Sequence, residues 1–119
     1  MEIALYIGDE IFCTEFYENE VSDCIKKMFP LTFRTEKTSL NAKDFFAPLP
    51  CKITASSKPA QSIINGDILI CNSVSISVCV KNYLAVNSEY TKIAHVKEPH
   101  GLEDAITKNK GIIKFDFYK

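Results

Sequence analysis

Residues 66–82 read GDILICNSVSISVCVKN. After Gly66-Asp67 comes a short apolar run, Ile68 to Cys71; Asn72-Ser73 is a turn signal; then Val74, Ile76, Val78 and Val80 alternate with Ser75, Ser77, Cys79 and Lys81. Successive side chains of an extended chain point to opposite faces, so period-two alternation predicts a strand with one face in a core. Two such runs joined by a tight polar turn predict a hairpin.

Working outward, the same logic finds more strands. Ile3, Leu5 and Ile7 alternate, Gly8-Asp9 turns the chain, and Ile11 to Tyr17 resumes a β-rich run, which predicts a hairpin at the N-terminus. The period then changes: Val21, Cys24, Ile25 and Met28 fall at helical spacing, with Asn19 as N-cap and Pro30 as stop. A helix over residues 20–28 follows, with Cys24 on its apolar stripe. Leu31 to Thr35 reads as extended, Lys92 to Val96 as a strand, Leu102 to Ile106 as a short helix ended by Gly111, and Ile112 to Tyr118 as a last strand. Between them, residues 36–62 hold three of the five prolines and one short expected strand, Cys51 to Thr54. The cluster Phe45, Phe46, Pro48, Leu49, Pro50 is too apolar for simple disorder, so this segment is expected to plug an open end of the core. Seven or more short strands and two helices argue for a mainly β barrel rather than a doubly wound sheet.

At 119 residues and 46% apolar, the chain is expected to be one domain, residues 1–119, large enough for a core without disulfides or metal. It carries 14 basic and 15 acidic side chains, and the basic ones are 13 lysines and the single Arg34, scattered along the chain. A nucleic-acid partner is therefore not expected. Five cysteines with no C-x-x-C spacing read as reduced thiols. The five-residue apolar run at the N-terminus fits neither a signal peptide nor a membrane span, so the expectation is a cytoplasmic protein without a membrane partner.

Chemical motifs are sparse. The four glycines lie at least ten residues apart, which excludes a phosphate-cradling loop. His95, Glu98 and His100 lack zinc-ligand spacing and read as a polar turn, so neither a metal nor another cofactor is expected. Cys79 with His95 is the one nucleophile–base pairing that strand pairing could create, weighed against burial of Cys79 as a small apolar residue. Glu18, Glu20 and Asp23 complement a helix dipole and need no catalytic role. Arg34 stands out, because a guanidinium can anchor carboxylates or peptide carbonyls through its planar fork.

Three stretches, EFYENEVSDCIKKM (15–28), GDILICNSVSISVCVKN (66–82) and YTKIAHVKEPHGLEDAI (90–106), together resemble a prokaryotic family of stand-alone cyclophilin-like domains, compact relatives of the cyclophilin peptidyl-prolyl isomerases. The resemblance runs from Met1 to about Phe117 and is most specific in the third stretch, where Ala94 replaces a usual glycine; FPLTF (29–33) and the PLP of residues 48–50 also match. It implies a closed eight-stranded antiparallel barrel with two short helices. The isomerase's F-x-R-x-x-x-x-F-M-x-Q-G-G segment has no counterpart: the single glutamine, Gln61, lies 27 positions after Arg34, and the chain has no tryptophan. A gapless comparison sets Tyr90 where the isomerases have a pocket histidine and puts Ser77 on or near their pocket phenylalanine. The scaffold carries over and the machinery does not.

The resulting expectation is a non-catalytic module that binds a peptide or small molecule in a barrel-side groove walled by residues 36–62. Phe45, Phe46, Tyr83 and Tyr90 are the expected lining and Arg34 the polar anchor, with the protein a monomer or weak homodimer. The alternatives are a weak peptidyl-prolyl cis–trans isomerase using Arg34, and a structural or interaction subunit acting through an apolar patch or strand edge.

Overall fold

A computed structural model describes residues 1–39, 42–53, 61–85 and 90–118. In chain order the elements are β1 (Glu2–Ile7), β2 (Glu10–Phe16), α1 (Glu20–Lys26), β3 (Leu31–Arg34), β4 (Asp44–Pro48), β5 (Gln61–Ile63), β6 (Asp67–Cys71), β7 (Ser75–Cys79), β8 (Tyr83–Ala85), β9 (Tyr90–Val96), α2 (Leu102–Lys108) and β10 (Ile112–Asp116). Eight strands form one antiparallel sheet in the order β3-β10-β1-β2-β9-β6-β7-β4, and β5 pairs with β8 in a separate sheet. The mainly β architecture and both helices agree with the sequence reading.

The eight-stranded sheet curls until its two edges meet. Glu36, just beyond β3, and Phe46 of β4 exchange both backbone hydrogen bonds at 2.9 Å. The barrel is nearly rather than fully closed. Strand alternation turns the N–H and C=O of Phe46 to the seam, so the same alternation aims position 48 there too, and Pro48 has no N–H to donate. The cylinder is filled by Ile3, Leu5, Ile7, Ile68, Ile70, Ile76, Val78, Ile113 and an aromatic lattice in which Phe16, Phe33 and Phe115 meet edge to face. Gly111 sets the approach of β10 to β3: its φ is +81°, and a Cβ there would come within 2.1 Å of the Thr35 carbonyl oxygen.

Residues 36–62 depart from their expectation. Phe45 and Phe46 belong to a barrel strand, β4, rather than to an irregular plug, because the pair Phe45↔Val78 gives Phe45 a place in the core. Closing the barrel end falls instead to Leu49 and Ile53, whose N–H groups donate to the carbonyls of Val74 and Ser73 at 2.8 and 2.9 Å. Cys51 to Ile53 are not a strand, and Thr54 lies outside the described residues. Cys24 is exposed: the seven-residue helix α1 seats Ile25 and Ser22 at its contact line, which leaves position 24 on the rim.

The two phenylalanines test this arrangement. Phe45→Ala empties a core site and lowers the unfolding free energy by about 3–5 kcal/mol, whereas Phe46→Ala, on the outer side, costs less than about 2 kcal/mol. Equilibrium urea unfolding of the single variants measures both; equal losses would contradict the opposed orientation.

Candidate functional site

The hairpin that decides the fold is covered on both faces. Ile76, Val78 and Val80 point into the barrel as expected, yet Ser77 and Cys79 on the opposite face are also buried. Over Cys79 sits the β5–β8 pair, with the Tyr83 hydroxyl 3.7 Å from its thiol, while Ser77 meets the Cys71 thiol at 3.6 Å. Ile63 of β5 packs with Leu69, Cys79 and Tyr90 as a second apolar cluster outside the barrel core, with Cys71 and Tyr83 packed against it. Sequence alternation sees which residues share a face, but not whether a second layer lies on that face.

Next to this cluster sits a buried charge. The Asp67 side chain is 2% exposed and has two side-chain partners, the Lys92 ammonium and a ring nitrogen of His95. Its Oδ1 lies 2.9 Å from His95 Nδ1; its Oδ2 lies 3.2 Å from Lys92 Nζ and accepts the Ile64 N–H at 3.0 Å. Lys92 Nζ also donates to the Ser62 carbonyl at 3.0 Å. A carboxylate out of water is tolerated only when its charge and lone pairs are matched, and the ammonium and amide do this.

A β-bulge makes the cluster. Residues 92 and 95 of a regular strand lie on opposite faces. Here the register slips from Ile68↔Ala94 to Leu69↔Lys92, leaving one extra residue on β9, so Lys92 and His95 emerge on the same side and both reach Asp67. Asp67 and Lys92 were not found from the sequence. The available signal was a carboxylate immediately before a four-residue apolar run.

Burial also governs the protonation of the face. The Cys79 thiol is pushed up to about 12 by burial, only partly relieved by the Tyr83 hydroxyl 3.7 Å away, with Asp44 raising it further. Burial likewise raises Tyr83, with Cys79 adding to the effect, and raises Tyr90, with Asp67 contributing. The Cys71 thiol is raised by burial, opposed by its contact with the Ser77 hydroxyl at 3.6 Å. Cys79 therefore stays a neutral thiol at neutral pH, and its partner is Tyr83 while His95 is paired with Asp67. The nucleophile–base pairing of Cys79 with His95 is not made.

Of the five expected lining residues, the fold gathers two. Tyr83 and Tyr90 share the outer cluster, and Lys43 Nζ sits 5.0 Å from the Tyr83 ring centre. Phe46 also faces outward, on β4 opposite Ser77, and is half-buried. Phe45 is in the barrel core, beneath Lys37 Nζ at 4.9 Å. Arg34 is exposed on β3 and paired with Ile112, with β4, β7 and β6 lying between it and Tyr90 around the barrel. Among the described residues, a groove of about 460 Å³ between α1 and residues 51–53 is lined by Val21, Cys24, Met28, Cys51 and Ile53 and by none of the five.

The fold defines the class of protein: a mainly β domain whose eight-stranded antiparallel sheet nearly closes into a barrel, with two short helices and a separate β5–β8 pair on its outer wall. The sequence pattern of the cyclophilin-like family matches residues 5–118, and the chain belongs to that family. No curated protein matches the chain. Tyr90 and Ser77, the two positions that compare with isomerase pocket residues, both face outward here, on strands separated only by β6. Among the described residues no group of three or more histidine, cysteine or acidic side chains is placed to hold a metal, and no helix is long and apolar enough to cross a membrane.

Removing the carboxylate tests the charge cluster. Asp67→Ala lowers the unfolding free energy by about 3 kcal/mol, because it strands the Lys92 ammonium and the Ile64 amide; a loss below about 1 kcal/mol in urea unfolding would contradict the burial of the pair.

Proposed function

We propose that this domain is a non-catalytic binding module that holds a peptide or small molecule on the outer wall of the barrel, along β4, β7, β6 and β9 beside the β5–β8 roof. The observation that carries this reading is the second apolar cluster, which lies outside the core and is covered by two three-residue strands belonging to no other sheet. Tyr90 and Leu69 supply apolar floor, Tyr83 and Phe46 aromatic walls, and Lys92 and His95, each about a quarter exposed, polar contacts at one end.

The neutral thiols and tyrosines on this face favour binding over chemistry. Arg34, the residue an isomerase would need to polarise the proline nitrogen, is on a different part of the wall. A carbonyl-rich extended peptide with a proline or aromatic ring suits an aromatic wall next to an ammonium. The cyclophilin-like family is consistent with a proline-containing ligand, and the protein acts as a monomer or weak homodimer located in the cytoplasm.

The experiment is an amide NMR titration with short X-Pro peptides, reading protein shifts and peptide cis/trans exchange together. Shifts at Leu69, Cys79, Lys92 and Tyr90 without faster exchange, weakened about tenfold by Tyr83→Ala, are expected. Accelerated exchange that is lost in Arg34→Ala would replace this reading with an isomerase. Shifts confined to Val21, Met28 and Ile53 would move the site to the α1 groove.

A further inference from the structure

The β5–β8 pair is a separate sheet, and among the described residues the charge-assisted fastening of β5 to the barrel centres on Lys92 and Asp67, while the turns that follow β5 and precede β8 are joined by the Asn65 N–H to Asn82 Oδ1 and the Gly66 N–H to the Cys79 carbonyl, both at 2.8 Å. Lys92 Nζ donates to the Ser62 carbonyl of β5 at 3.0 Å while holding Asp67 Oδ2 at 3.2 Å. Just after β5, Ile64 and Asp67 exchange hydrogen bonds at 3.0 Å: the Ile64 N–H donates to Asp67 Oδ2, and the Asp67 N–H donates to the Ile64 carbonyl. At the β8 end the ties are weaker, a thiol–hydroxyl contact between Cys79 and Tyr83 at 3.7 Å and the Lys43–Tyr83 cation–π contact. What lies beneath is apolar and closed off: Cys79 is fully buried, and Leu69 and Tyr90 are each 2% exposed. The Leu69–Tyr90 floor of the surface assigned above to ligand binding is thus covered while the roof is down.

We propose that β5–β8 is a latched cover over the ligand-binding face, that the Lys92 ammonium bridging Ser62 and Asp67 is its latch, and that the cover lifts to admit the ligand. The inference rests on reading this face as the binding surface. It assigns Lys92 a positioning role: in the closed state it fastens the roof, and in the open state its ammonium is left beside Leu69 and Tyr90, where it meets a ligand carbonyl or carboxylate lying next to an apolar ring. A short two-stranded sheet is marginal without packing or anchoring, so loss of one charge-assisted hydrogen bond shifts the opening equilibrium by about tenfold.

Cys79 reports the motion. It is the only buried cysteine of the five, its thiol is held by Tyr83 of the roof, and lifting the roof returns it to water and to the ordinary reactivity of a thiol. The experiment follows iodoacetamide labelling of Cys79 in the native protein by mass spectrometry of the Cys79 peptide, with amide exchange of β1 and β2 as the measure of global unfolding. Lys92→Met is expected to speed Cys79 labelling about tenfold beyond any rise in β1–β2 exchange, which reports the global cost of leaving Asp67 without its ammonium, and Lys92→Arg to restore slow labelling. Labelling that is unchanged in Lys92→Met, or that rises only in step with β1–β2 exchange, overturns the latch. No ligand enters the assay, so its failure leaves the binding surface standing, while a silent peptide titration with a working latch overturns the binding reading alone.

Discussion

One buried carboxylate organises the outer wall of this barrel. Asp67 begins β6, and its two oxygens join three parts of the chain: β9 through Lys92 and His95, the turn after β5 through the Ile64 amide, and β5 itself through the Lys92 bridge to Ser62. Taking an unpaired carboxylate out of water costs several kcal/mol, so each partner is needed, and the need fixes positions that apolar packing would leave loose. The β9 bulge and the seating of the roof both satisfy this one group.

The rest of the wall follows from how that requirement divides the apolar residues. Ile68, Ile70, Ile76 and Val78 fill the cylinder with the phenylalanine lattice, while Leu69, Cys79 and Tyr90, on the alternate face of the same strands, form a separate cluster under β5–β8. The same burial keeps Cys79 and the neighbouring tyrosines protonated, which favours the proposed recognition role over thiolate chemistry at this surface.

Much of the barrel was legible because its signals are local. The alternation in β1, β2, β6 and β7 and the spacing of Val21 and Ile25 sit within single elements and match their observed bounds closely, while Met28 falls in the turn just past α1. β4 was missed because Pro48 and Pro50 mask a strand whose pairing partner, β7, lies about 30 residues away, and β5 and β8 are only three residues each. The residues expected to form one site separate in the structure: Tyr83 and Tyr90 share the outer cluster, Phe45 lies in the core because β4 carries no clear strand signal, and Arg34 lies elsewhere on the wall, since a side chain's chemistry does not report its place in the fold. Lys92 and Asp67 were hidden by the bulge, which reverses the alternation from which sequence reasoning works.

The roof is proposed to be a cover fastened onto a binding face rather than another piece of the core. Native-state amide exchange across a series of low urea concentrations tests it most directly, since it separates local openings from global unfolding. The account predicts that Ser62, Ile63 and Leu84 exchange through an opening nearly independent of urea and at least about 2 kcal/mol below that of Leu5 and Phe115. Roof and barrel amides sharing one opening free energy and one urea dependence would contradict it.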